Sequence, residues 1–237
     1  MIPILWQSDS AIAAHKPAGL STTSPPGTDS LEWKLRQQLG RDTGFLSAVH
    51  RLDREVSGIV LVALSKKTAR LLSEQFETRK VKKTYHAWVS GRVDASHIPV
   101  RWSDHVCKLE NVPRGEVCDA NAPGAKIAET DVTVLRYNAE GDCTLIELSP
   151  ITGRMHQLRL QTAARGHVIL GDPVYGTLSS EASEHRSPTD RAPTDRSWTG
   201  PSLALIAMQI QFHHPKTGAM TEVKIPGFPV DTESQNS

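Results

Sequence analysis

Strand-like runs outnumber helical ones along this chain, and the pattern predicts an α+β fold. The expected architecture is a mixed, largely antiparallel sheet with flanking helices and a central cleft. Two observations carry it. Apolar or alternating runs bounded by turn residues recur at 58–64, 84–89, 131–135, 143–148 and 203–212, whereas helical spacing is confined to short stretches near 30–39, 65–76 and 154–165.

In chain order, Ile12 to Lys16 reads as a short strand stopped by Pro17, with turn chemistry in Pro17-Ala18-Gly19. A Ser/Thr/Pro-rich loop leads to Ser30, which can cap a helix whose Leu31, Leu35 and Leu39 recur at four-residue spacing before Gly40 ends it. Residues 58–64 are apolar throughout and read as a buried strand. Ser65 caps the next helix, which presents Ala69, Leu72 and Phe76 on one face and bases on the other. After the strand at 84–89, residues 94–125 carry Pro99, Pro113, Pro123 and several glycines, and read as a peripheral excursion of loops and short strands. The runs 131–135 and 143–148 flank Asn138-Ala139-Glu140-Gly141-Asp142 as a hairpin. A helix is expected over 154–165, stopped by Gly166, and a late strand over 203–212.

Residues 179–200 are polar and contain Pro188-Thr189-Asp190-Arg191, echoed as Pro193-Thr194-Asp195-Arg196. Such a stretch has too little apolar surface to offset the entropy of ordering it, so it is expected to be a mobile surface insertion within a single domain spanning 1–237. The tail at 231–237 is expected to fray.

Composition is ordinary for a globular chain: 237 residues, 38% apolar and 22% charged, with net charge +1. No stretch approaches a membrane span, and the first residues lack a basic, apolar leader, so a cytoplasmic protein with no membrane partner is expected. Cys107, Cys118 and Cys143 form no Cys-x-x-Cys pair and read as reduced thiols. The ten histidines offer no third ligand at usable spacing, so no metal is expected. Absence of a Gly-x-Gly-x-x-Gly or P-loop pattern likewise predicts no nucleotide cofactor. Charge is strongly local: from His50 to Arg92, ten basic side chains stand against four acidic ones. A run of this kind is ordinarily a solvated helix face, but here it adjoins a site-like segment.

That segment is His50-Arg51-Leu52-Asp53-Arg54-Glu55-Val56-Ser57-Gly58, which sets the Asp53 carboxylate between two guanidinium groups at the mouth of an apolar strand. Positive neighbours favour an ionised carboxylate, the form a nucleophile needs; a structural Asp at a strand entrance is the plain alternative. A second block is Thr152-Gly153-Arg154-Met155-His156-Gln157-Leu158-Arg159, with Gly171-Asp172-Pro173-Val174-Tyr175-Gly176 behind it. On a helix, His156 and Arg159 would share one face and project together toward an anion. A third is Lys82-Lys83-Thr84-Tyr85, where the ring can stack on a base or the hydroxyl can move a proton.

In these motifs and their order the chain resembles the RluA-type RNA pseudouridine synthases. The His-Arg-Leu-Asp run, the Thr-Gly-Arg-x-His-Gln-Leu-Arg block with its Gly-Asp-x-x-Tyr-Gly tail, the Lys-x-Tyr element, the early His15-Lys16-Pro17-Ala18-Gly19 turn and the late Phe212-His213-His214-Pro215-Lys216-Thr217-Gly218 segment all match. Val56, Gln161 and Ile206 depart from the residues usual at their positions, and no S4-type RNA-binding domain is expected in front. The resemblance implies the pseudouridine synthase fold with an RNA-binding cleft, and isomerisation of uridine to pseudouridine in rRNA or tRNA without a cofactor. It implies Asp53 as catalytic nucleophile or base, Arg159 as its ion-pair partner and Tyr85 against the target base. Arg51, Arg54, Lys66, Lys67, Lys82, Lys83, Arg154 and His156 are the candidate RNA contacts, with Arg51 entering the gap left by a flipped nucleotide. A monomer is expected. The competing classes are a catalytically silent RNA-binding protein of the same fold, and a glycosidase, which would need a second carboxylate.

Overall fold

The computed structural model describes residues 1–25, 27–41, 43–94, 100–110, 112, 114–176 and 203–228. The expected insertion at 179–200 and the tail at 231–237 lie outside the described residues. The chain divides into two compact units. The first comprises Met1–Thr84 and Ile206–Ile225, and the second Tyr85–Leu205 with Pro226–Ser237.

In the first unit, β1 (Ile4–Gln7), β2 (Ala11–Lys16) and β4 (Ser57–Ala63) pair antiparallel in that order, and β3 (Ser47–Ala48) adds to β4. From the far end of the sequence, β10 (Leu205–His213) lies parallel to β4, with β11 (Met220–Lys224) antiparallel to β10. Helix α1 (Leu31–Gln38) begins where Ser30 Oγ accepts from the Trp33 amide; α2 (Lys66–Glu77) begins in the same way, with Ser65 Oγ accepting from Thr68. Both caps are where the sequence places them. Leu72 of α2 joins Ala11, Ala13, Ile59, Leu61, Ile210, Phe212 and Val223 in one apolar cluster, which leaves Lys66, Lys67 and Arg70 exposed. Gly58 has φ +127°, and a Cβ there would meet the Ala207 backbone of β10 at 2.3 Å.

The second unit is an antiparallel sheet whose strand order departs from sequence order. β5 (Lys82–Ser90) pairs with β9 (Cys143–Pro150), β9 with β8 (Lys126–Asn138), β8 with β6 (Val100–Lys108) and β6 with β7 (Gly115–Val117), every pairing antiparallel. The expected hairpin is present, but β8 extends from Lys126, well before Asp131. The expected excursion at 94–125 contains the nine-residue strand β6. Trp102 and Val106 of β6 are buried while Arg101 and Ser103 are exposed, an alternation that the flanking prolines and glycines obscured.

Helix α3 is shorter than expected. It runs Gln157–Ala164, and His156 precedes it in the left-handed region at φ +53°. Two buried amides attach its first turns to the sheet. Gln157 Nε2 donates to the Glu129 carbonyl and Thr130 Oγ1, and its Oε1 accepts from Thr152 Oγ1 and the Arg154 amide. Gln161 accepts from Thr130 Oγ1 at 2.6 Å and donates to Asp104 Oδ2 and the Ala128 carbonyl. The departure noted at Gln161 is thus a buried structural amide.

Candidate active site

Asp53 sits half-buried in the loop between β3 and β4, and side chains from elsewhere in the first unit hold that loop by its backbone. Thr22 Oγ1 donates to the Leu52 carbonyl at 3.0 Å and accepts from the Leu52 amide at 3.2 Å. Directly after Asp53, the Arg54 carbonyl accepts from Lys16 Nζ at 3.0 Å and from the Gly19 amide at 2.9 Å. The Val56 amide closes a turn on the Asp53 carbonyl at 3.1 Å. The loop is therefore clamped on both sides of the carboxylate, which fixes the direction in which it projects.

Lys16 is fully buried, and its ammonium also donates to the Pro17 and Leu20 carbonyls, giving it three acceptors. Burial pushes its pKa down to about 8, against the opposing pull of the Glu55 and Asp53 carboxylates. This lysine lies in the Lys-Pro-x-Gly turn, yet nothing in the sequence says that its partners are the carbonyls beside Asp53.

His50 accepts a hydrogen bond at Nε2 from the Leu61 amide at 3.0 Å and lies against the Phe76 ring, with centroids 4.8 Å apart. Burial, and then the Lys83 charge, push its pKa down to about 3. Its folded pKa thus lies below the unfolded value of about 6.5, so its contribution to stability is complete above that pH and is lost as pH falls toward 3, at up to about 1.4 kcal/mol per pH unit. Urea midpoints between pH 7 and 4 should fall less steeply for His50→Gln than for wild type. Parallel slopes would assign the acid sensitivity to other groups.

The arginines flanking Asp53 are both exposed. Arg54 donates its Nε–H to the Gly19 carbonyl at 2.9 Å, and Nε lies 3.9 Å from the Glu55 carboxylate. Lys82 is exposed, whereas Lys83 is half-buried and burial lowers its pKa.

In the second unit, Tyr85 is buried on β5 opposite Leu148 of β9. Arg159, in the first turn of α3, is only 4% exposed at its side chain and bonds Asp172 bidentately, Nε to Oδ2 and Nη2 to Oδ1, both at 2.7 Å. Asp172 Oδ1 also accepts from the Val174 and Tyr175 amides. Burial alone would raise the Asp172 pKa, but the Arg159 hydrogen bond and charge and the two amides outweigh it and hold the carboxyl below its usual range. The Arg159 guanidinium lies 5.2 Å from the centre of the Tyr175 ring. His156 does not share a helix face with it. From its left-handed position, Nδ1 lies 2.9 Å from the Tyr175 hydroxyl, which also accepts from the Gly115 amide at 3.2 Å. Arg154 donates from Nε to the Ile127 carbonyl, so it too is tied to the framework. Among the described residues, no group of three His, Cys, Asp or Glu could hold a metal ion.

The sequence model of the RNA pseudouridylate synthase family matches residues 10–164, a span that holds the Asp53 loop, Tyr85 and Arg159. The chain belongs to this family. The synthase is 34% identical over 220 residues to the dual-specificity RNA pseudouridine synthase RluA of Pasteurella multocida (strain Pm70), covering 91% of this chain and 89% of that one. Identity to the Escherichia coli (strain K12) protein of the same name is 34% over 227 residues, covering 94% and 92%. Among solved structures, human RNA Pseudouridylate Synthase Domain Containing 1 resembles the synthase with a TM-score of 0.69 at 25% identity, covering 95% of this chain and 83% of that one. The largely antiparallel sheet, with β10 parallel to β4, is thus the pseudouridine synthase fold.

Proposed function

We propose that this synthase isomerises uridine to pseudouridine within an RNA chain, with Asp53 as nucleophile or initiating base, Tyr85 against the uracil and Arg159 as the cation of the reaction. The family match over 10–164 carries the reading, and the doubly clamped loop around Asp53 is the geometry that suits it. The N1–C1′ bond breaks, the uracil turns, and C5 joins C1′. The proton lost from C5 is balanced by one gained at N1, so the change is redox-neutral and needs no nucleotide cofactor. Target uridines must leave the stack, at a cost of a few kcal/mol. Exposed Arg51, Arg54, Lys66, Lys67 and Lys82 are the residues we assign to phosphate contacts that offset it, with Lys83, Arg154 and His156 in supporting positions. We further read the enzyme as a single catalytic domain, monomeric and cytoplasmic, acting on rRNA or tRNA.

Because the new bond forms at C5, turnover releases the hydrogen carried there. RNA made with uridine tritiated at C5, as tRNA in one arm and 23S rRNA in the other, should release tritium to solvent in at least one arm, with pseudouridine at the corresponding position. RNA retained by the protein with no tritium released in either arm would instead mark a silent RNA-binding relative.

A further inference from the structure

Gly171-Asp172-Pro173-Val174-Tyr175-Gly176 folds back on its own carboxylate. The Val174 and Tyr175 amides reach Asp172 Oδ1 at 2.9 and 3.0 Å, and the Gly176 amide closes on the Asp172 carbonyl at 3.1 Å. A Cβ at Gly176 would come within 2.5 Å of that carbonyl oxygen, so the loop closes this tightly only with glycine there. With its own amide donating to the Ile169 carbonyl at 3.1 Å, Asp172 is held by four backbone bonds before it meets a side chain. Its side chain is 0% exposed, and both oxygens face one edge of the Arg159 guanidinium.

A guanidinium can roll about its stem, and a helix fixes only where that stem starts. Bidentate pairing removes the roll, because two parallel N–H···O bonds define the plane as well as the position. The Arg159 guanidinium carbon lies over the Tyr175 ring, 5.2 Å from its centre, and the Tyr175 hydroxyl is pinned by Gly115 and His156. With the Nε edge committed to Asp172, Nη1 and the outer N–H of Nη2 become the edge through which the arginine acts on anything else. We infer that Asp172 is a positioning residue for the isomerisation: it sets the plane and working edge of Arg159, while Tyr175 supports the guanidinium with its ring. The inference rests on the reading of Arg159 as the cation of the reaction.

The decisive quantity is the single-turnover rate constant for tritium release at saturating enzyme, which does not depend on the fraction of enzyme that is folded. Asp172→Asn keeps the side chain's size and loses one charge-assisted bond. It should lower this constant about a hundredfold, the scale of a misplacement near 1 Å, with the enzyme concentration for half-saturation by RNA unchanged within about threefold. Arg159→Lys should lower it at least as much, and adding Asp172→Asn to Arg159→Lys should cost nothing more, since Asp172 acts through Arg159. Asp172→Asn at the wild-type rate constant, alongside a slow Arg159→Lys, overturns the inference and leaves Arg159 in its role. Arg159→Lys at the wild-type rate constant removes Arg159 from the reaction and the inference with it. Should Asp172→Asn fail to fold, Asp172→Glu serves in its place. It keeps the buried charge balance but lengthens the carboxylate by one methylene, and its folded fraction must be comparably slow; a wild-type rate constant there counts against the inference.

Discussion

Asp53→Asn should abolish tritium release from C5-labelled RNA, by at least about 10⁴-fold, the scale seen when an acting nucleophile is removed, while RNA binding stays within about twofold. The substitution is nearly isosteric, and the loop's backbone is held by bonds from Thr22, Lys16 and Gly19 in which the carboxylate takes no part, Asp53 reaching the Lys16 ammonium through its charge, behind Glu55. Stability should therefore change by less than about 1 kcal/mol. An amide can neither attack the sugar nor accept a proton at the start of the reaction, so a loss of rate with fold and binding intact isolates the chemistry. Turnover at the wild-type rate would remove Asp53 from the reaction altogether.

Gly58→Ala is expected to be the most damaging single change to the fold. At φ +127° a side chain is strained in any surroundings, and the added Cβ would sit 2.3 Å from the Ala207 carbonyl oxygen, 2.6 Å from its nitrogen and 2.7 Å from its Cβ. These are atoms of a paired strand, so relief requires opening the register that sets Ala207 against Gly58 and Ile206 against Ser57. A loss of more than about 4 kcal/mol should follow, the range reserved for backbone strain combined with overpacking. Gly153→Ala, at a position with nothing within 4 Å and no positive φ, should shift the urea midpoint by under about 0.5 kcal/mol equivalent. Equal effects of the two substitutions would mean that the strand pairing tolerates the intrusion.

What could be read from the chain alone follows how local each cause is. Ser30 and Ser65 were legible as caps because a hydroxyl two or three residues before a helical amide is a short-range rule. The start of α3 was not, because His156 leaves the helical region to reach Tyr175, nineteen residues on, and no spacing rule encodes that. Strand β6 was hidden for a similar reason: Trp102 and Val106 are buried by pairing with β8 and packing, whereas the nearby Pro99 and Pro113 argued for loops. Asp53 stood out because its motif is contiguous. Lys16, Thr22 and Asp172 did not, because what they hold are carbonyls, amides and a guanidinium that sequence distance conceals.

The parallel join of β10 to β4 also bears on how the protein is made. It unites residues roughly 150 positions apart, so the nascent chain must keep the Ser57–Gly58 end of β4 waiting while the Tyr85–Leu205 part of the second unit is synthesised. At about 5–20 residues per second that interval is on the order of ten seconds, during which apolar β4 has an unsatisfied edge next to the loop bearing Asp53. Completion of the β4 edge is therefore among the last events of translation. Truncated products that stop before β10 are expected to be recognised by chaperones and proteases as unfinished, whatever portion of the second unit they already contain.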